Sequence, residues 1–228
     1  MRKILLSLVI SVIALSALAH KDVTQFLGIP VDRTKSEMIK KLKAKGFRIN
    51  AYSYDKDILE GKFNGTDVIV SVVTNGGKVC RIMVCDANSV DERSIQIRFN
   101  NLCRQFEKNT KYMSIGYDLI PDDEKIAYEM TINNKRYEAL FYQKPVELTD
   151  TTLFREGVMR VARTKYTAEE IANSTDEIKE DIENMYFEYL KGLYSMKPVW
   201  FMISDNYGKY FITMFYDNEY NRANGEEL

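Results

Sequence analysis

Residues 199–221 read VWFMISDNYGKYFITMFYDNEYN, and eight of these twenty-three residues are aromatic: Trp200, Phe201, Tyr207, Tyr210, Phe211, Phe215, Tyr216 and Tyr220. Two runs of β-branched and aromatic residues flank Asp205-Asn206-Tyr207-Gly208, the punctuation of a β-hairpin. On the first strand Val199, Phe201 and Ile203 share one face, with Trp200 and Met202 on the other. On the return Tyr210, Ile212, Met214 and Tyr216 alternate with Phe211 and Phe215. Neither face is polar. Such a hairpin either lies inside a sheet covered on both sides or shows an aromatic face to a partner. An exposed Tyr or Trp combines an apolar body with a hydrogen-bonding tip, which suits stacking on a sugar ring or anchoring a protein contact. Trp200, Tyr207, Tyr210, Tyr216 and Tyr220 are therefore the candidate binding residues. Of these, Tyr207 at the turn and Tyr216 and Tyr220 near the far end are the least committed to a core.

Working back from the hairpin, Ile178, Ile182, Met185, Tyr189 and Leu193 recur at helical spacing behind a capping box at Ser174-Thr175-Asp176-Glu177. Residues 146–164 carry no readable period. Residues 128–143 read as a strand, a tight turn at Asn133-Asn134 and a return strand, aligning at an offset of 69 with Leu59 to Gly65. That alignment raises a tandem repeat of two similar subdomains, 20–112 and 113–228.

The first half is more explicit. Asp22 to Leu27 reads as a short helical turn ahead of Gly28-Ile29-Pro30. Thr34-Lys35-Ser36-Glu37 is a capping box for a helix to about Lys45, stopped by Gly46, with Met38, Ile39 and Leu42 inward. Strands 58–63, 67–74 and 78–85 are joined at Asn64-Gly65 and Asn75-Gly76-Gly77. Val68, Val70, Val72, Cys80, Ile82 and Val84 form the cleaner core face, and Asp67, Ser71 and Arg81 mark the other. A further capping box at Ser89-Val90-Asp91-Glu92 opens a helix bearing Ile95, Phe99, Leu102, Cys103 and Phe106, expected to lie across the meander. The fold class is α+β: an antiparallel meander sheet with helices packed on it.

The chain opens MRKILLSLVISVIALSALAHKD. Arg2 and Lys3, the apolar run Ile4–Leu15 and Ala17-Leu18-Ala19 form a signal peptide (1–19) with cleavage expected after Ala19. The apolar run is short for a membrane span and no second one follows, so no transmembrane segment is expected after cleavage. Export to the periplasm or the outer surface of a Gram-negative cell is the expectation. Cleavage leaves 30 basic against 33 acidic side chains, with no basic stripe for nucleic acid.

Three cysteines, Cys80, Cys85 and Cys103, are too few for a disulfide scaffold. Cys80 and Cys85 are five apart on one strand and face opposite ways. Cys80–Cys103 is the better candidate pair, against the alternative of three buried thiols.

The one histidine is His20, at the expected mature terminus. This excludes Ser-His-Asp, Cys-His and histidine-zinc chemistry in the folded part. No phosphate loop or nucleophile elbow occurs. A carboxylate-only hydrolase would have to use Asp122-Asp123-Glu124, or Asp205 with Asp217, which read more simply as turn and strand-end charges. Residues 217–228 look like a calcium loop but carry Arg222 and Leu228 where Gly and Glu are needed. No metal and no cofactor is expected.

FLGIPVDRTKSEMIKKLKAKGF (26–47), RIMVCDANSVDERSIQIRFNNLCRQFEKNTKY (81–112) and VWFMISDNYGKYFITMFYDNEYNRANGEEL (199–228) resemble a family of exported proteins from gut bacteria of the Bacteroidetes type. The resemblance implies export and brings no activity or site residues with it. Asp150-Thr151-Thr152 resembles the short acceptor for O-glycosylation in such bacteria, marking Thr151. More distantly, the helix–meander order is similar to β-lactamase-inhibitor-like and outer-membrane-assembly small-lipoprotein domains, which bind other proteins. The functional expectation is a non-enzymatic envelope module binding a protein, or alternatively a glycan through the aromatic hairpin.

Overall fold

The computed structural model describes residues 22–55 and 57–221, with Tyr220 described by its backbone only. The expected signal peptide and His20 lie outside the described residues.

The hairpin at residues 199–221 forms, and it lies near the centre of the sheet. Its strands are β9 (Pro198–Asn206) and β10 (Lys209–Asp217), paired from Lys209↔Asn206 to Tyr216↔Val199. The two-residue loop Tyr207-Gly208 has φ of 51° and 76°, so both turn positions are left-handed, as hairpin twist requires. The first half supplies β3 (Arg48–Ile49), β4 (Leu59–Phe63), β5 (Thr66–Asn75) and β6 (Lys78–Asp86). The second supplies β7 (Tyr112–Ser114) and β8 (Glu138–Gln143) ahead of the hairpin. All eight form one antiparallel sheet in the order β3-β4-β5-β6-β10-β9-β8-β7.

Helices cover one face. α1 (Lys35–Ala44) has the capping box read from Thr34 and Glu37, and it buries Met38 and Leu42. α2 (Glu92–Lys108) lays Ile95, Phe99, Leu102, Cys103 and Phe106 onto the face carrying Val68, Val70, Ile82, Val84, Phe201 and Ile212. Phe106 stacks on Phe141 of β8 at 4.7 Å, and Phe99 meets Phe201 edge-on at 5.2 Å. This is the parity expected for the meander and the hairpin, and it makes one core from both halves.

Several details differ from the sequence reading. Residues 22–27 are not helical: β1 (Gln25–Phe26) turns back on β2 (Ile29–Pro30) through Leu27-Gly28, both at positive φ. Phe26 is driven into the core against Tyr216, Phe63 and Phe47. α2 is capped by Asp91, which accepts from the Ser94 N–H, and not by Ser89. Val90 is pulled into a bridge with Tyr210, which postpones the helix.

Residues 126–132 form a helix, α3 (Ile126–Ile132), where a strand was expected. The hairpin copy behind the tandem repeat is therefore absent, because Ile126 is fully buried and the segment packs on α2. The expected boundary at 112/113 falls inside β7, and both sides of it share one sheet and one core.

Residues 146–195 hold a 3-10 turn (Val146–Leu148), α4 (Thr151–Ala162), α5 (Ala168–Ala172) and α6 (Asp176–Ser195), inserted between β8 and β9. α6 is capped by Thr175, one residue later than read. Glu147 ties this insertion together: it accepts from the Tyr189 hydroxyl at 2.9 Å, the Tyr186 hydroxyl at 3.2 Å and Arg160 at 3.0 Å.

Candidate functional site

Strand alternation that puts Val199, Phe201 and Ile203 into the core must send Trp200, Met202 and Ser204 to the opposite face. There they join Phe211, Thr213, Phe215 and Asp217 from β10, Arg81, Met83 and Cys85 from β6, and Ile69, Ser71 and Val73 from β5. Trp200, Met202, Phe211, Met83 and Cys85 are half-buried, and Val73 and Leu140 are exposed. The helical insertion meets the sheet at β8. The hairpin therefore has one face in the core and another of mixed apolar and aromatic character, on which Thr213, Phe215 and Asp217 are themselves buried beside the half-buried Trp200 and Met202.

At the centre of the open face the side chains are tied to one another. The indole of Trp200 stacks on its cross-strand neighbour Phe215, with centroids 4.0 Å apart and planes within 19°. Its Nε1–H donates to Asp217 at 2.9 Å. Asp217 also accepts from Arg81 Nε at 2.6 Å and Nη2 at 2.8 Å, a bidentate pair, and its side chain is only 6 % exposed. The Arg81 guanidinium lies 4.7 Å from the Phe215 ring centre. Hydrogen bonding to Asp217 raises the Arg81 pKa further above its ordinary value.

With Phe215 on one side, the other side of the indole is turned toward β8, where Leu140 is its register partner. A cleft of about 490 Å³ opens there. Arg136, Glu138, Leu140 and Tyr142 line one wall, Ser195 and Pro198 close one end, and Trp200 forms the other wall. Arg136 and Glu138 pair with each other at 3.1 Å on the rim. Three larger clefts, of about 750, 760 and 550 Å³, lie at Lys45–Asn50, at Gly116–Pro121 and between Gln25–Gly28 and Lys111–Tyr112. Phe47 in the first is buried in the core. In the second, Tyr117 and Tyr137 are spent on hydrogen bonds to Glu107 and Glu124.

The five candidate aromatics do not form one site. Trp200 lies on the open face, and Tyr207 projects fully exposed from the hairpin turn. Tyr210 and Tyr216 are corrected to core residues, each under 5 % exposed, because they share parity with Ile212 and Met214. Burial pushes the Tyr216 hydroxyl well above its ordinary pKa, and the neighbouring Tyr112 hydroxyl adds to the shift. The Tyr220 side chain lies outside the described residues. The sequence does not mark Arg81, Phe215 and Leu140 as site residues, and it offers Asp217 only as a carboxylate paired with Asp205. Their parity with Trp200 was in the sequence, but the pairing of β10 with β6 was not.

The three cysteines are free. Cys80 sits at a β-bulge between Val79 and Arg81, donates to the Val73 carbonyl at 3.6 Å and lies outside the core cluster that holds Cys103. The candidate Cys80–Cys103 bond is not formed, and the alternative of buried thiols holds for Cys80 and Cys103, while Cys85 is half-buried. Thr151 is exposed at the first position of α4, with Asp150 as its N-cap.

Four of the five carboxylates considered for hydrolysis are engaged separately. Asp205 accepts from the Gly208 N–H, Asp217 is held by Arg81 at the other end of the hairpin, Asp122 pairs with Arg93, and Glu124 with Lys135. Among the described residues no three His, Cys, Asp or Glu side chains converge as a metal site. No described helix is long and apolar enough to cross a membrane. No family model, no curated protein and no solved structure matches the chain.

Proposed function

We propose that this protein is an exported, non-enzymatic binding module of the cell envelope that engages its ligand on the open face of the sheet. The observation that carries the reading is that face itself. It is an apolar and aromatic surface on the central strands, opposite a fully formed core, with Trp200 locked in place by Phe215 and Asp217. Preorganised aromatic side chains bind at low entropic cost, which is why they concentrate energy at recognition surfaces. Export is supported by the basic, apolar and small-residue order of residues 1–19. A non-catalytic role is supported by the separate engagement of Asp122, Glu124, Asp205 and Asp217 and by the lack of histidine beyond position 20.

A photo-crosslinking residue placed at Met202 on the open face, and in parallel at Lys40 on the exposed side of α1, tests the reading in the native host. A specific adduct from position 202 alone is the expected result. Equal labelling from both positions, or none from 202, would overturn it.

A further inference from the structure

We propose that the cleft between Trp200 and β8 is a carbohydrate subsite that takes a pyranose ring against the indole. This inference rests on the preceding reading and names its ligand class. The Trp200 Nε1–H is already given to Asp217, so the indole has no hydrogen bond to offer and presents only a flat face. Phe215 covers one side of that face at 4.0 Å, leaving the side that borders the cleft. A flat, immobile apolar platform fits a ligand with C–H bonds on one side.

The opposite wall sets the rest of the chemistry. Arg136 and Glu138 neutralise each other at 3.1 Å, so the rim carries no net charge to select an anion or a cation. Both side chains remain more than half exposed, and a guanidinium with five N–H donors beside a carboxylate with several lone-pair sites suits adjacent hydroxyls. A saturated ring that is apolar on its faces and hydroxylated around its edge satisfies both walls. A fully apolar ligand would bury the Arg136–Glu138 rim without compensation, and an ionic one would find no counter-charge. The volume, about 490 Å³, lies within the range of small-ligand sites.

Trp200 is the sole tryptophan of the chain, so the indole fluorescence arises from the wall of this cleft. The mature protein would be titrated with linear trisaccharides of glucose, mannose, xylose and N-acetylglucosamine, and with the neutral apolar dye N-phenylnaphthylamine, with calorimetry in parallel. The expected result is a saturable change with at least one trisaccharide, weakened about tenfold or more by Leu140→Arg, which fills the cleft from an exposed position. Binding of the dye alone, binding of no saccharide, or saccharide binding unchanged in Leu140→Arg would each overturn the inference. The Met202 crosslink separates the two ideas. A protein adduct there, with no saccharide bound, refutes the sugar subsite and leaves the open-face reading standing; loss of both refutes both.

Discussion

Asp217 should be among the most consequential polar residues of the sheet, and replacing it tests the electrostatic account of the open face. Its carboxylate accepts three hydrogen bonds, two from Arg81 and one from Trp200, while only 6 % of the side chain is exposed. Asp217→Ala leaves a guanidinium facing apolar neighbours and an indole N–H without an acceptor. Removing one partner of a buried pair costs about 3–5 kcal/mol. Arg81 is 26 % exposed, so water recovers part of that loss. About 2 kcal/mol then remains for the ion pair and about 1 kcal/mol for the indole N–H. For a chain of this size a loss of about 3 kcal/mol lowers Tm by roughly 6–12 °C.

Asp217→Asn keeps an acceptor for one donor and should lose about half as much. Replacing both partners together, Arg81→Met with Asp217→Leu, should recover most of the loss, because no charge is then left unpaired. The assay is thermal and urea unfolding followed by Trp200 emission, which should also shift in the native state of Asp217→Ala. A Tm for Asp217→Ala within about 2 °C of the parent would refute the argument, since a shift that small is under about 1 kcal/mol. So would a double variant less stable than either single one.

Lys197 is 4 % exposed and pairs with Asp22 at 2.5 Å, so Asp22→Ala should destabilise by about 2–4 kcal/mol in urea titration; Asp22→Asn should cost less. At Gly157 a Cβ would overlap Glu147 Oε1, so Gly157→Ala should expel that carboxylate from Tyr186, Tyr189 and Arg160. Hydrogen exchange should then rise in α4 and α6 while the central strands stay protected. Burial pushes the Cys103 thiol up to about 12 from its ordinary 9.0, and raises Cys80 in the same direction. Burial raises the Cys85 thiol too, so exposure sets the order: Ellman's reagent at pH 8 should reach half-exposed Cys85 first, and the buried Cys80 and Cys103 only on unfolding. A thiol raised on folding stabilises fully below its unfolded pKa and loses that contribution as pH rises toward the folded value. The urea midpoint should accordingly fall between about pH 9 and 12, as Cys103 and the buried Tyr216 both shift this way.

Local signals in the sequence carried the long, regular elements. The Thr34–Glu37 box, the Asn64-Gly65 turn and the alternation on residues 67–73 and 81–85 each act over a few residues, so they survive in the structure, the bulge at Cys80 being the one break. Where a distant contact competes with a local preference, the reading failed. Val90 gives up a helical start to bridge Tyr210, and Asp22–Pro30 becomes a buried hairpin because Phe26 has a pocket waiting between Phe63 and Tyr216. The β-rich composition of residues 128–132 was overridden by docking of Ile126 under α2. β1, β3 and β7 are two or three residues long, too short to show a period.

The candidate site was half legible for the same reason. Parity placed Trp200 opposite Phe201. Only the register of β10 against β6 brings Arg81 beside Asp217, 136 positions away.

The strand order has a consequence for how the chain assembles. The strands of residues 59–86 and those of residues 112–143 share no hydrogen bond; β10 and β9 lie between them and are made last. Until residues 198–217 are synthesised, β6 and β8 are unpaired edges flanked by apolar side chains, each able to recruit a strand from another molecule. Joining them demands pairings of very long sequence separation, which slows folding and prolongs that exposure. A chain cut short before Pro198 would hold two half-sheets with nothing to unite them. Such a product should aggregate rather than persist as a smaller domain.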